Sequence, residues 1–224
     1  METEKKRFLV ALIIPLLLLI IMWIVQFVSY GFDINLFEYG VHPLHWDGLP
    51  GILLMPFIHS GFKHLMANSL PFLILGTALF YFYRDLSLKV LIGIWLLSGI
   101  WVWFGGRENS WHIGASGVIY GLSSFLFFSG LIRKNTQLAA LALVVAFLYG
   151  SMIWGVFPDF FPDKNISWEG HLGGLVSGII LAFYYRKSGP QRKRYSWEFE
   201  EEEDDDEDDD DGYWNISRNT TNST

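Results

Sequence analysis

Gly114-Ala115-Ser116-Gly117 opens a stretch without a single charge that runs through residue 132, and its reading decides the kind of fold this chain adopts. The small residues around Ser116 leave its hydroxyl room for close approach by another group and leave the adjoining backbone N–H groups reachable. That is half of a nucleophilic site. Small residues also let membrane helices approach one another closely, and on these four residues alone the packing reading stands ahead. The rest of the chain has to decide between them.

Working outward, 51% of the 224 residues are hydrophobic and 17% aromatic, more than a soluble domain normally carries, so the excess is expected to face lipid. The formal charge of −7 misleads, because residues 198–211 hold thirteen of the twenty-three acidic residues. Before residue 196, fifteen basic residues face ten acidic ones. There is no cysteine, which removes disulfides, thiol nucleophiles and thiolate metal sites.

The apolar runs predict six membrane spans, at about 8–28, 64–83, 88–104, 116–132, 138–157 and 168–186. The first follows Lys5-Lys6-Arg7, is long enough to cross a hydrocarbon core of roughly 30 Å, and reads as a retained anchor that Pro15 is expected to kink. Residues 29–63 mix Asp33, Glu38, Asp47, prolines and histidines with Trp46, Leu53, Leu54, Met55 and Phe57. They predict an amphipathic loop in the membrane interface, acting as a lid or gate. His59, ahead of the second span, is expected to bond loop backbone.

Lys and Arg near span ends concentrate on the cytoplasmic side. With the N-terminus inside, twelve such residues fall inside and only Lys63, Arg107 and Lys164 outside. Both termini are then cytoplasmic, in a multi-pass protein of the plasma or inner membrane. This topology puts His64, Ser116 and the start of the sixth span at one end of the bundle.

The sixth span supplies a base. Glu169-Gly170-His171-Leu172-Gly173-Gly174-Leu175-Val176-Ser177-Gly178 carries one imidazole beside a face of Gly170, Gly174 and Gly178, repeating every four residues. An imidazole inside a membrane helix is costly unless partnered, and Ser116 is the partner expected. In the second span His64 and Asn68 lie four apart on one helical face; interfacial solvation and function weigh about equally for that pair alone.

Together these motifs make the chain resemble the rhomboid intramembrane serine proteases: His64-Leu65-Met66-Ala67-Asn68 in the second helix, Gly114-Ala115-Ser116-Gly117 opening the fourth, His171-Leu172-Gly173-Gly174 in the sixth, with Pro56-Phe57-Ile58-His59 and Tyr120 also similar. The resemblance covers roughly residues 8–187. It implies an all-α, six-helix membrane bundle over residues 1–187. Within it Ser116 would be the nucleophile and His171 the base, and Tyr120 would hold the imidazole by stacking. His64 and Asn68 would join the Ser116 N–H in stabilising the oxyanion, and Gly114, Gly117, Gly174 and Gly178 would pack helices. The reaction implied needs no cofactor or metal. Its partners would be membrane-spanning protein substrates and the lipid bilayer, not nucleic acid; the oligomeric state is left open.

Three positions depart from the family pattern. The loop has Trp46-Asp47 and no arginine where members often carry Trp-Arg, Gly76 is not followed by a glutamate, and Gly170 stands where alanine usually precedes the histidine. A transporter would be expected to show paired repeats or charges at the midplane, and neither a clear repeat nor a buried acid is found. A His-Glu-X-X-His or a membrane aspartate pair is also missing. The rival is a catalytically silent relative that binds membrane proteins for quality control or trafficking. Residues 188–224 predict a disordered acidic cytoplasmic tail.

Overall fold

In lipid every backbone donor and acceptor must be satisfied within the protein, and a helix does this within one segment. A computed structural model of the chain describes residues 2–134, 136–148 and 167–189. The apolar runs fold as α1 (Glu2–Gly31), α3 (Phe62–Phe82), α4 (Ser87–Gly105), α5 (Ser116–Ile132), α6 (Thr136–Leu148) and α7 (Trp168–Tyr184), with the short α2 (Gly51–Leu54) in the first long loop. Among the described residues there is no strand, only an isolated antiparallel bridge between Val41 and His112. α1, α3 and α4 are long and apolar enough to cross a membrane, and α5 is a shorter apolar helix. Of the expected fifth span, 138–157, residues 149–157 lie outside the described residues, as does the tail from residue 190.

The surface pattern is that of a protein in lipid. Leu75, Leu79, Val90, Ile94, Leu122, Phe125 and Leu126 are fully buried, while Ile13, Ile24, Phe27, Ile92, Phe104 and Ile180 are exposed. α5 sits at the centre and touches α3, α4, α6 and α7. α1 runs through Pro15 without a break, and a Cβ placed on Gly76 of α3 would lie 3.1 Å from the Pro15 ring. That glycine, singled out above only for what fails to follow it, makes room for the proline.

The α5–α7 contact is the closest, and glycine is the reason. A Cβ on Gly174 would stand 1.9 Å from the Gly117 carbonyl oxygen, and one on Gly178 would stand 2.1 Å from that of Gly121. The two backbones touch where side chains would hold them apart. Ser124 then donates a hydrogen bond across the seam to the Leu175 carbonyl at 2.9 Å.

The loop from 32 to 61 is pinned to α4. Trp95 donates to the Ile52 carbonyl and Trp103 to the His45 carbonyl, both at 3.0 Å, and the Leu44 N–H donates to the Trp103 carbonyl at 2.9 Å. Its outer face leaves Trp46, Tyr39 and Leu53 exposed, a mixed-polarity surface suited to the headgroup region.

Candidate active site

α3, α5 and α7 all begin at one end of the bundle, and their first turns carry the polar residues singled out in the sequence. Ser116 is the first residue of α5, and His171 lies in the first turn of α7. The Ser116 Oγ lies 2.8 Å from His171 Nε2. With Nε2 unprotonated, the hydroxyl donates to it. The Tyr120 ring stacks on the imidazole, centroids 4.3 Å apart and planes 12° from parallel, and His171 is 9% exposed.

Gly114, ahead of the serine, has φ +104°, a left-handed conformation that favours glycine. A Cβ there would also lie 2.8 Å from Cε1 and 3.0 Å from Nε2 of His64. Gly114 therefore shapes the turn and seats the His64 ring, whereas Gly117 packs against α7. His64 Nδ1 is 3.2 Å from the Ser60 hydroxyl. Asn68, buried, donates from Nδ2 to the His64 carbonyl at 3.1 Å. The first backbone N–H groups of α5 have no partner within the helix, so they and the positive end of its dipole face the same place as the serine.

His59 meets the expectation only in part. It is buried, and neither ring nitrogen makes a well-aligned hydrogen bond, although the Phe57 backbone of its own loop favours its protonation. Its ring packs edge-on against His64 at 5.0 Å. Burial first, and His64 second, push its pKa down to about 3, so it is neutral. Beside it lies a cavity of about 270 Å3 whose polar lining includes Gln26, Ser29, Asn35, His59 and Ser60.

The expectation of no buried acid is overturned by Glu169, which is 2% exposed. Arg107 Nε lies 2.8 Å from its Oε1 and neutralises it as an ion pair, while neither carboxylate oxygen makes a well-aligned hydrogen bond. Next to this pair, buried His112 has Nε2 2.9 Å from the Ser110 hydroxyl and Nδ1 2.5 Å from the Ser167 hydroxyl. Burial, the largest cause, lowers the His112 pKa, with Glu169 opposing. The sequence marks residues 107–112 and 158–167 only as polar connections that would frame a water-filled cavity; it does not foresee that Arg107 pairs with Glu169 or that His112 bonds Ser167. The available signal was Ser167 followed by Glu169, a capping residue with an acid in the first helical turn.

One further cluster, His42, His45 and Asp47, places a ligand atom from each residue within 4.8 Å of the others. His42 stacks on His45 at 3.9 Å with planes 5° apart, and on Trp111 at 4.3 Å. Parallel rings direct their in-plane lone pairs side by side rather than at one point, and His42 Nδ1 already meets Asp47 at 3.2 Å. The cluster is a stacked aromatic corner of the loop.

A family model described as Rhomboid domain matches residues 47–188 of this chain. The chain belongs to the rhomboid family. It is 33% identical over 196 residues to the uncharacterized protein Rv1337 of Mycobacterium tuberculosis, covering 85% of this chain and 81% of that one. It is 31% identical over 199 residues to the uncharacterized protein ML1171 of Mycobacterium leprae, covering 86% and 78%. It is also 30% identical over 135 residues to RHOMBOID-like protein 5 of Arabidopsis thaliana, covering 56% and 40%. The rhomboid domain spans all of α3, α4, α5, α6 and α7, and so includes every residue of the cluster around Ser116.

Proposed function

We propose that this rhomboid protein is an intramembrane serine endopeptidase that hydrolyses peptide bonds in or near the membrane-spanning segments of other proteins. The observation that carries the reading is the 2.8 Å contact between Ser116 Oγ and His171 Nε2, with the imidazole held against Tyr120. Ser116 Oγ attacks the scissile carbonyl while Nε2 takes its proton, and the imidazolium then protonates the leaving amine. Water, activated by the same nitrogen, hydrolyses the acyl-enzyme and restores the hydroxyl. The tetrahedral oxyanion is met by the Ser116 N–H at the start of α5, by His64, and by the second amide hydrogen of Asn68. Losing one such donor costs about 10²-fold in rate.

Hydrolysis within a membrane needs water, and the polar cavity lined by His59 and Ser60, the latter within hydrogen-bond reach of His64, is roomy enough to hold it. The substrate has to unwind to present a peptide bond, which favours small or helix-breaking residues near the cut. By the distribution of Lys and Arg, both termini face the cytoplasm and the Ser116 end of the bundle opens on the other side of a plasma or inner membrane.

The test is labelling by a fluorophosphonate probe, which reads an activated serine without any knowledge of the substrate. Wild type is expected to label, and Ser116→Ala and His171→Ala are expected not to. A folded wild type that labels no faster than Ser116→Ala sinks the protease reading and leaves a membrane-protein binding role.

A further inference from the structure

The polar atoms of His112 form a directed chain. Its backbone N–H donates to the Val41 carbonyl at 2.8 Å, and its carbonyl accepts from the Val41 N–H at 2.9 Å. Ser110 Oγ donates to the Arg107 carbonyl at 2.7 Å, so it accepts from His112 Nε2–H. Nδ1 is then the acceptor, and Ser167 Oγ donates to it. Ser167 Oγ in turn accepts the Gly170 N–H at 3.2 Å as the cap of α7, and the Ser167 carbonyl accepts the His171 N–H at 3.2 Å. Every donor finds an acceptor, and the run of side-chain bonds ends on the Gly170 N–H, one residue before His171, whose own N–H bonds the carbonyl of the same Ser167. A buried polar network so satisfied specifies one arrangement of its elements.

The Arg107–Glu169 pair joins the same two segments, the connection 106–115 and the first turn of α7. Glu169 lies two residues before His171, and positions i and i+2 of a helix do not face each other. Its carboxylate therefore does not address the dyad. A buried carboxylate is expensive even when paired, so a structural need explains its presence better than stability does. The need is visible in the α5–α7 seam. Its glycines set how near the helices come, but a smooth face does little to fix rotation or sliding of the first turn of α7. Gly170 fits the same account: a Cβ on it would lie 2.9 Å from Ser167 Oγ, crowding the atom that links His112 to the helix. That is a physical reason for glycine where the family usually has alanine.

We infer that Arg107, Ser110, His112, Ser167 and Glu169 are positioning residues, a latch that ties the connection between α4 and α5 to the first turn of α7 and so aligns His171 with Ser116. Its role in a reaction rests on the protease reading; the alignment itself does not.

The experiment exploits the absence of native cysteine. Ser116→Cys places a single thiol in the site, and the pH dependence of its alkylation, measured in the full chain in detergent, reads the proximity of His171 without any catalysis. With the latch intact the thiol titrates below the ordinary value of about 8.5, and His171→Ala returns it there. Arg107→Ala/Glu169→Gln, which removes both charges so that neither is orphaned, is expected to shift the titration most of the way back. Ser167→Ala, a smaller change made in case the double variant does not fold, is expected to shift it part of the way with the melting temperature held. In the chain with Ser116 restored, the same variants lower the maximal fluorophosphonate inactivation rate by roughly tenfold to 10²-fold, with the probe's half-saturating concentration unchanged; Arg107→Lys recovers most of the loss. An introduced thiol that titrates in the folded Ser167→Ala and double variants as it does with the latch intact overturns the latch. A wild type that fails to label while the thiol of Ser116→Cys still responds to the latch variants overturns the protease reading and leaves the latch standing.

Discussion

The two ends of the α5–α7 pair are closed by different chemistry. At the Ser116 end the closing contacts are directional and run through side chains of three segments, each hydroxyl donating to one group and accepting from another. At the far end one buried cation does the work. Arg133, just past α5, donates to the Tyr185 and Ser188 carbonyls at 2.6 and 2.7 Å, bonds the Ser129 hydroxyl, and lies 5.3 Å over the Tyr83 ring. Carbonyls past the end of α7 have no helical partner, and a guanidinium satisfies several at once with little demand on angle. One end is built to fasten and the other to align. Between them, the glycine seam brings the backbones together.

The largest effect is expected in the seam, which both ends depend on. Gly174→Ala pushes a methyl group into the Gly117 carbonyl, a backbone atom that cannot turn aside. It should cost about 3 kcal/mol and separate the dyad, so thermal unfolding in detergent and fluorophosphonate labelling fall together. If the melting temperature holds, the close approach is not what joins the helices.

Arg133→Ala sharpens the contrast. It removes the charged donor from the Ser129 hydroxyl, from the Ser188 carbonyl and from the Tyr185 carbonyl, which keeps its bond from the Ser188 N–H, and should lower stability by about 1–3 kcal/mol, while the folded protein labels at the wild-type rate. Equal losses of stability and rate would mean that the two ends are not separable. Tyr120→Leu tests the opposite case. It removes the ring stacked on His171 and should slow labelling by roughly tenfold through lost orientation, with a smaller change in melting temperature than Arg133→Ala produces.

The smallest effect concerns pH. The pKa of His59 is about 3 in the fold, against about 6.5 in an unfolded chain. The unfolded state therefore binds the extra proton first, and the contribution of His59 is complete above pH 6.5 and lost as pH falls toward 3. His112, also lowered, adds the same sign. Melting temperature should decline from pH 7.5 to pH 5, and His59→Gln should flatten part of that decline. An unchanged slope would mean that His59 does not carry it.

Much of the molecule was legible in the sequence because the physics involved is local. Whether a run of residues 8–28 enters lipid depends on those residues alone, and a glycine every fourth position marks a helix face whatever it packs on. Ser116 and His171 stood out because a hydroxyl among small residues and an imidazole among apolar ones each lack a local explanation. Residues with a ready local explanation were passed over. Glu169 looked like an acid in a first helical turn and Arg107 like an interfacial charge, and His59 looked like a histidine satisfied by its own loop.

The sequence by itself determined the membrane class, the helical architecture, and which serine and histidine to compare, since hydropathy and helical period need no partner to be read. Only the tertiary structure decided that Ser116 and His171 meet at 2.8 Å, that Glu169 is buried against Arg107, and that Ser167 links His112 to the helix that carries His171. Those contacts join residues 55 to 62 positions apart. Directional polar bonds depend on atomic placement, which no pattern along the chain encodes.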